Sequence, residues 1–166
     1  KHQEWLIKNF KNVEAHTINL DTLFLSFSSS LSKFDDEHGM ANSRARLRMT
    51  TLYQVAAANK GIVVGTGNKV EDFGVGFYTK YGDGGVDISP IADLYKTEVY
   101  KCAEQLDIHE DILNAPPTDG LWEDNRTDQD QLGLSYEILE QCMENNASNE
   151  HQKIYDKIRK PNLHKM

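Results

Sequence analysis

Thr66 and Glu71 stand five residues apart in VVGTGNKVE, directly after an apolar run. A hydroxyl and a carboxylate on one loop can hold a nucleotide and its Mg²⁺. Mg²⁺ takes one or two carboxylates and fills its remaining positions with water and phosphate oxygens. The same pair would also suit an ordinary turn, with the threonine bonding its own backbone. Arg44, Arg46 and Arg48 alternate in SRARLRM. A guanidinium matches phosphate or carboxylate through paired N–H donors. Steps of two along a helix rotate by about 200°, so the three cannot share one face. A solvated, ion-paired helix face accounts for this spacing equally well. Lys80 and Asp87 flank YGDGG, and Lys96 follows near the start of a helix. A helix start is already positive, so a lysine there points to an anionic ligand nearby rather than to dipole stabilisation. By position alone, His164 and Lys165 read as a frayed tail.

The elements that carry these residues follow from periodicity. The stretch Gly61–Pro90 organises them. It opens on Gly61-Ile62-Val63-Val64-Gly65, read as a buried strand. Its glycines let backbone approach a ligand closely, although Gly-rich surface loops are also common. Loops at the C-terminal ends of strands are where open α/β sheets bind ligands. Upstream, residues 1–10 read as a helix and residues 13–20 as a strand bounded by Asn12 and Asp21. Asp21 caps a helix with Leu23, Phe24, Phe27, Leu31 and Phe34 at helical spacing. Residues 35–39 form a polar break, and Asn42 or Ser43 caps a long helix to about Asn59. Downstream, Ile91, Leu94, Val99, Cys102 and Leu106 mark a helix, and a further turn spans residues 109–113. Residues 120–131, around Trp122, read as an acidic loop. Residues 135–143 and 150–158 read as two more helices, with Pro161 ending the second. Strand–helix–strand alternation predicts a parallel α/β sheet. Two visible strands are thin for that much helix, so further strands are expected to be missing.

Length and composition narrow the class. At 166 residues, 39% of them apolar, the chain is one domain with material for a core. The formal charge of −8 argues against general nucleic-acid binding. Cys102 and Cys142 lack metal spacing and read as reduced thiols. No apolar run is long enough to span a membrane, and no leader precedes the first helix, which together point to the cytoplasm. Lys1 already lies in the body of a helix, so the chain is expected to begin mid-fold.

In order, the motifs ANSRARLRM with Tyr53, VVGTGNKVE, FYTKYGDGGVDISPIADLYKTEV, APPTDGLW, DQLGLSYE and HKM resemble the ammonia-dependent NAD synthetase family, over most of the chain from Ala41 to Met166. The resemblance implies a Rossmann-like, adenine nucleotide alpha hydrolase-like three-layer α/β fold with a parallel sheet, its N-terminal strands missing. Residues 1–166 would be a single, partial domain. It implies a homodimer that converts deamido-NAD (nicotinic acid adenine dinucleotide) to NAD with ATP, Mg²⁺ and ammonia, through an acyl-adenylate. By motif, Thr66, Lys96 and Thr118 fall at ATP contacts and Glu71 at a Mg²⁺ ligand. Arg46, Lys80, Asp87, His164 and Lys165 fall at deamido-NAD contacts, some of them made across the dimer. No protein nucleophile is implied. The family's SGGxDS phosphate loop has no counterpart in the sequence, so the chain alone is expected to be inactive. Two further readings are a non-catalytic nucleotide-binding or dimerisation module and the synthetase domain of a glutamine-dependent enzyme.

Overall fold

The computed structural model describes residues 2–122, 124 and 126–166. Eight α-helices are described: α1 His2–Asn9, α2 Asp21–Ser30, α3 Glu37–Ala58, α4 Lys96–Gln105, α5 Glu110–Leu113, α6 Asp128–Leu132, α7 Tyr136–Met143 and α8 Asn149–Asn162. A 3-10 turn, Ser32–Phe34, precedes α3, and a π-turn, Val70–Val75, sits in the middle of the chain. No helix among the described residues is long and apolar enough to cross a membrane.

The expected parallel sheet is not formed among the described residues. Residues 13–20, predicted as a strand, have no regular structure. The Gly61–Gly65 run meets the rest of the chain at one isolated parallel bridge, Val64 to Ile88. Gly65 N–H donates to Ile88 O at 2.7 Å, and Asp87 N–H donates to Val63 O at 2.9 Å. The run is also only half buried: Val63 is 7% exposed, whereas Ile62 and Val64 are 59% and 53% exposed. A parallel ladder needs paired backbone on successive residues and cover on both faces. Here a single bridge is paired, and Ile62, Val64 and Ile88 stand uncovered.

The core lies instead behind the π-turn. Val70, Val75 and Leu139 are fully buried and pack with Leu132, Leu134, Tyr136, Cys142 and Tyr155. Burying each such aliphatic side chain contributes roughly 1.5–3 kcal/mol. The π-turn packs on α7 and α8. Gly74 allows that contact, because a Cβ there would lie 2.7 Å from Met143 Sδ. Gly76 ends the turn at φ +65°, where Phe77 N–H returns to Glu71 O at 2.8 Å.

α8 ties down the carbonyls that the π-turn leaves open. The Tyr155 hydroxyl donates to Gly74 O at 2.9 Å, and the Arg159 guanidinium donates to Phe73 O and Gly74 O at 2.6 and 2.7 Å. The Asn162 amide donates to Val75 O at 3.0 Å. Beyond α8, Lys165 Nζ donates to Gly76 O at 2.9 Å and to Tyr78 O at 2.7 Å. The residues read as a frayed tail are therefore anchored.

Two helix starts differ from the sequence reading. α3 begins at Glu37, capped by the Asp36 carboxylate accepting Gly39 N–H at 2.6 Å. The predicted polar break is thus largely the first turn of the helix, since an Asp N-cap tolerates a glycine behind it. α6 lies inside the stretch read as an acidic loop. Thr127 and Asp130 cap it reciprocally, with Asp130 N–H to Thr127 Oγ1 at 3.2 Å and Thr127 N–H to Asp130 Oδ2 at 2.9 Å.

Candidate functional site

Asn68 sets the start of the π-turn. It is 1% exposed, and its Oδ1 accepts Val70 N–H at 3.0 Å and Glu71 N–H at 3.2 Å. Glu71 is thereby aimed away from the core into a cavity of about 560 Å³. Thr66, Glu71, Lys96 and Thr118 all line this one cavity. Thr66 arrives from the bridge segment. Lys96 is the first residue of α4, whose start is fixed by Tyr95 N–H donating to Glu98 Oε2 at 2.8 Å. Thr118 comes from the Pro116–Trp122 segment, which α3 holds: Arg44 donates to Leu121 O at 2.9 Å and Arg48 to Gly120 O at 3.2 Å.

The polar floor of the cavity is a chain of four side chains. Lys96 Nζ lies 2.9 Å from Glu71 Oε1, and both side chains are mostly buried. The same Oε1 lies 2.7 Å from the Tyr136 hydroxyl, which lies 2.8 Å from Asp128 Oδ2. Lys96 Nζ also sits 4.8 Å above the Tyr136 ring. A phenol has one proton and cannot donate to two carboxylates at once. Burial raises the Asp128 pKa, against the Tyr136 hydrogen bond and with the Glu71 charge. Burial and the two carboxylates push the Tyr136 phenol far up, so it stays neutral. Asp128 Oδ1 is buried without a hydrogen-bond partner.

Among the described residues no three metal-ligating side chains cluster. The carboxylates of the cavity fit the protein's share of a Mg²⁺–nucleotide complex, which needs one or two carboxylates only. Glu71 and Asp128 both line the cavity, together with Asp83 and Asp119.

Arg46, Lys80, Asp87, His164 and Lys165 are placed elsewhere, and none of them lines this cavity. Arg46 Nε donates to Lys80 O at 3.2 Å, and Lys80 Nζ donates to His164 O at 2.7 Å. The His164 ring nitrogen Nδ1 is 2.9 Å from Pro161 O. Asp87 is used internally: Oδ2 accepts Val63 N–H at 2.7 Å and Oδ1 accepts the Tyr53 hydroxyl at 3.2 Å. Lys165 lines a second hollow of about 160 Å³ with Asp72 and Asp83. Burial pulls the Lys165 pKa down, against the Asp83 charge. Burial, then the Glu71 and Asp83 charges, push the Asp72 carboxyl up to about 6. The three arginines diverge as their spacing requires. Arg44 and Arg48, one turn apart, share the face that holds the 116–122 segment, while Arg46 points to Lys80.

Sequence reasoning missed Asn68, Asp128 and Tyr136. Asn68 sat in a motif read for its threonine and glutamate. Asp128 was one acid in an acidic run. Tyr136 was read only as part of the helix over residues 135–143. The sequence carries no local signal for the pairing, because Asp128 and Tyr136 are eight residues apart on two helices.

Comparison with known proteins adds the family. The family described as NAD synthase matches residues 1–165. The NH(3)-dependent NAD(+) synthetase of Thermoplasma volcanium is 40% identical over 131 residues, covering 79% of this chain and 53% of that protein. That of Mesoplasma florum is 39% identical over 157 residues, covering 92% of this chain and 64% of that protein. The chain thus spans about half to two thirds of the length of these curated relatives. Among solved structures, NMN synthetase from Francisella tularensis superposes with a TM-score of 0.89 at 31% identity, covering 98% of this chain and 67% of that one. An NH3-dependent NAD synthetase from Campylobacter jejuni, in complex with the nitrate ion, gives a TM-score of 0.69 at 26% identity, covering 93% and 63%. With its matching motifs spread along nearly its whole length, the chain belongs to the NAD synthase family.

Proposed function

We propose that the protein contributes the nucleotide cavity of an ammonia-dependent NAD synthetase, working in the cytoplasm. In this reading ATP adenylates the nicotinate carboxylate of deamido-NAD, with loss of pyrophosphate, and ammonia then displaces AMP to form the amide. A carboxylate is a poor acyl donor until one of its oxygens can leave, and adenylation supplies that leaving group. The observation that carries the reading is the convergence of Thr66, Glu71, Lys96 and Thr118 on one cavity. Thr66 and Thr118 offer hydroxyls to the nucleotide. Lys96 offers a cation to the departing pyrophosphate, where charge develops. Glu71 would hold Mg²⁺, which would supply further positive charge at the phosphates. Aligning carboxylate and α-phosphate accounts for much of the rate in such a site.

Arg46, Lys80, Asp87, His164 and Lys165 lie outside this cavity. That placement fits a homodimer in which they meet the dinucleotide bound by the partner. A second reading is favoured by the higher TM-score to the NMN synthetase: the amidated substrate is the pyridine mononucleotide, and the adenylyl half of a dinucleotide is dispensable.

The test is turnover by the complete polypeptide with each acid. Glu71→Gln and Lys96→Met are each expected to lower amide formation at least a hundredfold while circular dichroism stays unchanged. Normal turnover in both variants overturns the site. A higher kcat/KM for the mononucleotide than for the dinucleotide selects the second reading.

A further inference from the structure

We propose that Tyr136, seated on Asp128, is the positioning residue of the nucleotide cavity: its hydroxyl holds Glu71 in place when Lys96 turns to the phosphates. The inference rests on the reading that Glu71 and Lys96 face Mg·ATP.

The geometry carries it in three steps. First, Glu71 is a flexible side chain and needs anchors to present a fixed oxygen. It has three: Lys96 Nζ at 2.9 Å and the Tyr136 hydroxyl at 2.7 Å on Oε1, and Asn68 N–H at 3.3 Å on Oε2. Second, these anchors differ in permanence. Lys96 is the group a triphosphate would recruit, so its bond to Glu71 is the one lost on binding. The Asn68 contact is long. Tyr136 remains, and its hydroxyl has little freedom to move. The residue is 8% exposed, its ring belongs to the core cluster, and it opens α7 behind the Ser135 cap. Third, Asp128 braces the phenol from its other side, with Oδ2 2.8 Å from the hydroxyl. Asp128 is 6% exposed, and its Oδ1 has no partner. Core packing alone would place an apolar residue there, because a buried unpaired oxygen is costly.

The ring of the same residue explains the place of Lys96. With its ammonium 4.8 Å over the Tyr136 ring, the lysine rests on the aromatic face while it bonds the Glu71 carboxylate. Tyr136 therefore contacts both charged groups through different parts of one rigid ring.

The experiment uses the complete polypeptide and Mg·ATP as the probe, with affinity read by calorimetry beside kinetics. Tyr136→Phe keeps the ring under Lys96 and removes only the hydroxyl. The expected result is about tenfold weaker Mg·ATP binding and a matching rise in the Mg²⁺ concentration for half-maximal rate, with circular dichroism unchanged. Asp128→Asn, whose amide can donate to the same phenol oxygen, is expected to weaken binding at most threefold. If Tyr136→Phe does not fold, 3,5-difluorotyrosine at position 136 replaces it. That residue changes the donor strength without the shape, and a twofold or larger shift in Mg·ATP affinity is expected. Unchanged affinity in the folded position-136 variant, while Glu71→Gln abolishes binding, overturns the positioning role and leaves the cavity assignment standing. Unchanged affinity in Glu71→Gln as well overturns both.

Discussion

The Asp87 carboxylate accepts the backbone N–H of Val63 at 2.7 Å, across 24 residues of sequence. It lies beside the one parallel bridge in the described chain and closes the Gly61–Pro90 stretch on itself. Val63 is buried, so its amide has no water to fall back on. Asp87→Ala is expected to destabilise the protein by about 1–3 kcal/mol through that orphaned donor. Asp87→Asn, which keeps an acceptor, is expected to lose less than half of that. Urea denaturation of the two variants checks it. Equal stability of Asp87→Ala and parent would remove Asp87 as the fastener of this stretch.

A second prediction concerns the clamp that α8 places on the π-turn. Tyr155 is 6% exposed and its hydroxyl meets Gly74 O at 2.9 Å. Arg159 reaches the same carbonyl. Because the carbonyl keeps Arg159, Tyr155→Phe alone is expected to cost only about 0.5–1.5 kcal/mol. Arg159→Ala should cost a similar amount, and the double variant more than the sum, since the carbonyl is then left without either donor. A double-mutant cycle in thermal or urea melts measures the coupling, and strict additivity would count against a shared clamp.

These two cases show what the sequence could and could not reveal. Lys96 drew notice as a cation at a helix start, whereas Thr66 and Glu71 suited an ordinary turn equally well and were tied to a nucleotide by the family motif. Helices α7 and α8 were expected over residues 135–143 and 150–158, close to their observed bounds, but Pro161, expected to end α8, lies inside it. The sheet was misread because Ile62, Val63 and Val64 look the same in sequence whether one or two of their faces are covered. Cover comes from elsewhere in the fold, and here Ile62 and Val64 stay exposed. Asp128 and Tyr136 were hidden for the opposite reason. Tyr136 matters through its contact with Glu71 across 65 residues, and Asp128 only through its bond to Tyr136, and no local pattern encodes that chain.

The third prediction follows from Asp72, whose carboxyl is pushed from 3.8 up to about 6, first by burial and then by Glu71 and Asp83. The folded protein therefore holds this proton more tightly than the unfolded chain does. Its contribution favours folding below about pH 4 and is lost as pH rises toward about 6. At neutral pH the group is charged in both states, and the fold bears the cost of desolvating it. Asp72→Asn is expected to be more stable than the parent at pH 7, by about 1 kcal/mol once solvent screening of this half-buried group is counted. The gain should shrink to nothing near pH 4. Denaturation at several pH values between 4 and 7 reads this directly. A gain independent of pH would assign the effect to packing instead.

The last prediction concerns the segment that brings Thr118 to the cavity. Arg44 and Arg48, one turn apart on α3, donate to the carbonyls of Leu121 and Gly120. Arg44 also stacks on Phe24 of α2 at 4.5 Å, which stiffens its guanidinium. Trp122, next along, is held by Nε1–H to Gln131 Oε1 at 3.0 Å and to Asp119 Oδ2 at 3.2 Å. The segment is thus fastened from α3 on one side and from α6 on the other. Its two α3 fasteners are bonds from long side chains to single carbonyls, each worth little alone. Arg44→Ala with Arg48→Ala is expected to free the segment without unfolding the core, which lies on the far side of the π-turn. Trp122 emission should shift to the red, and amide exchange at residues 119–122 should rise at least tenfold, while exchange in α7 stays constant. In the complete polypeptide the KM for ATP should rise more than kcat falls, because Thr118 would be ordered only on binding. Faster exchange in α7 as well would mean that the arginines support the whole fold rather than this segment.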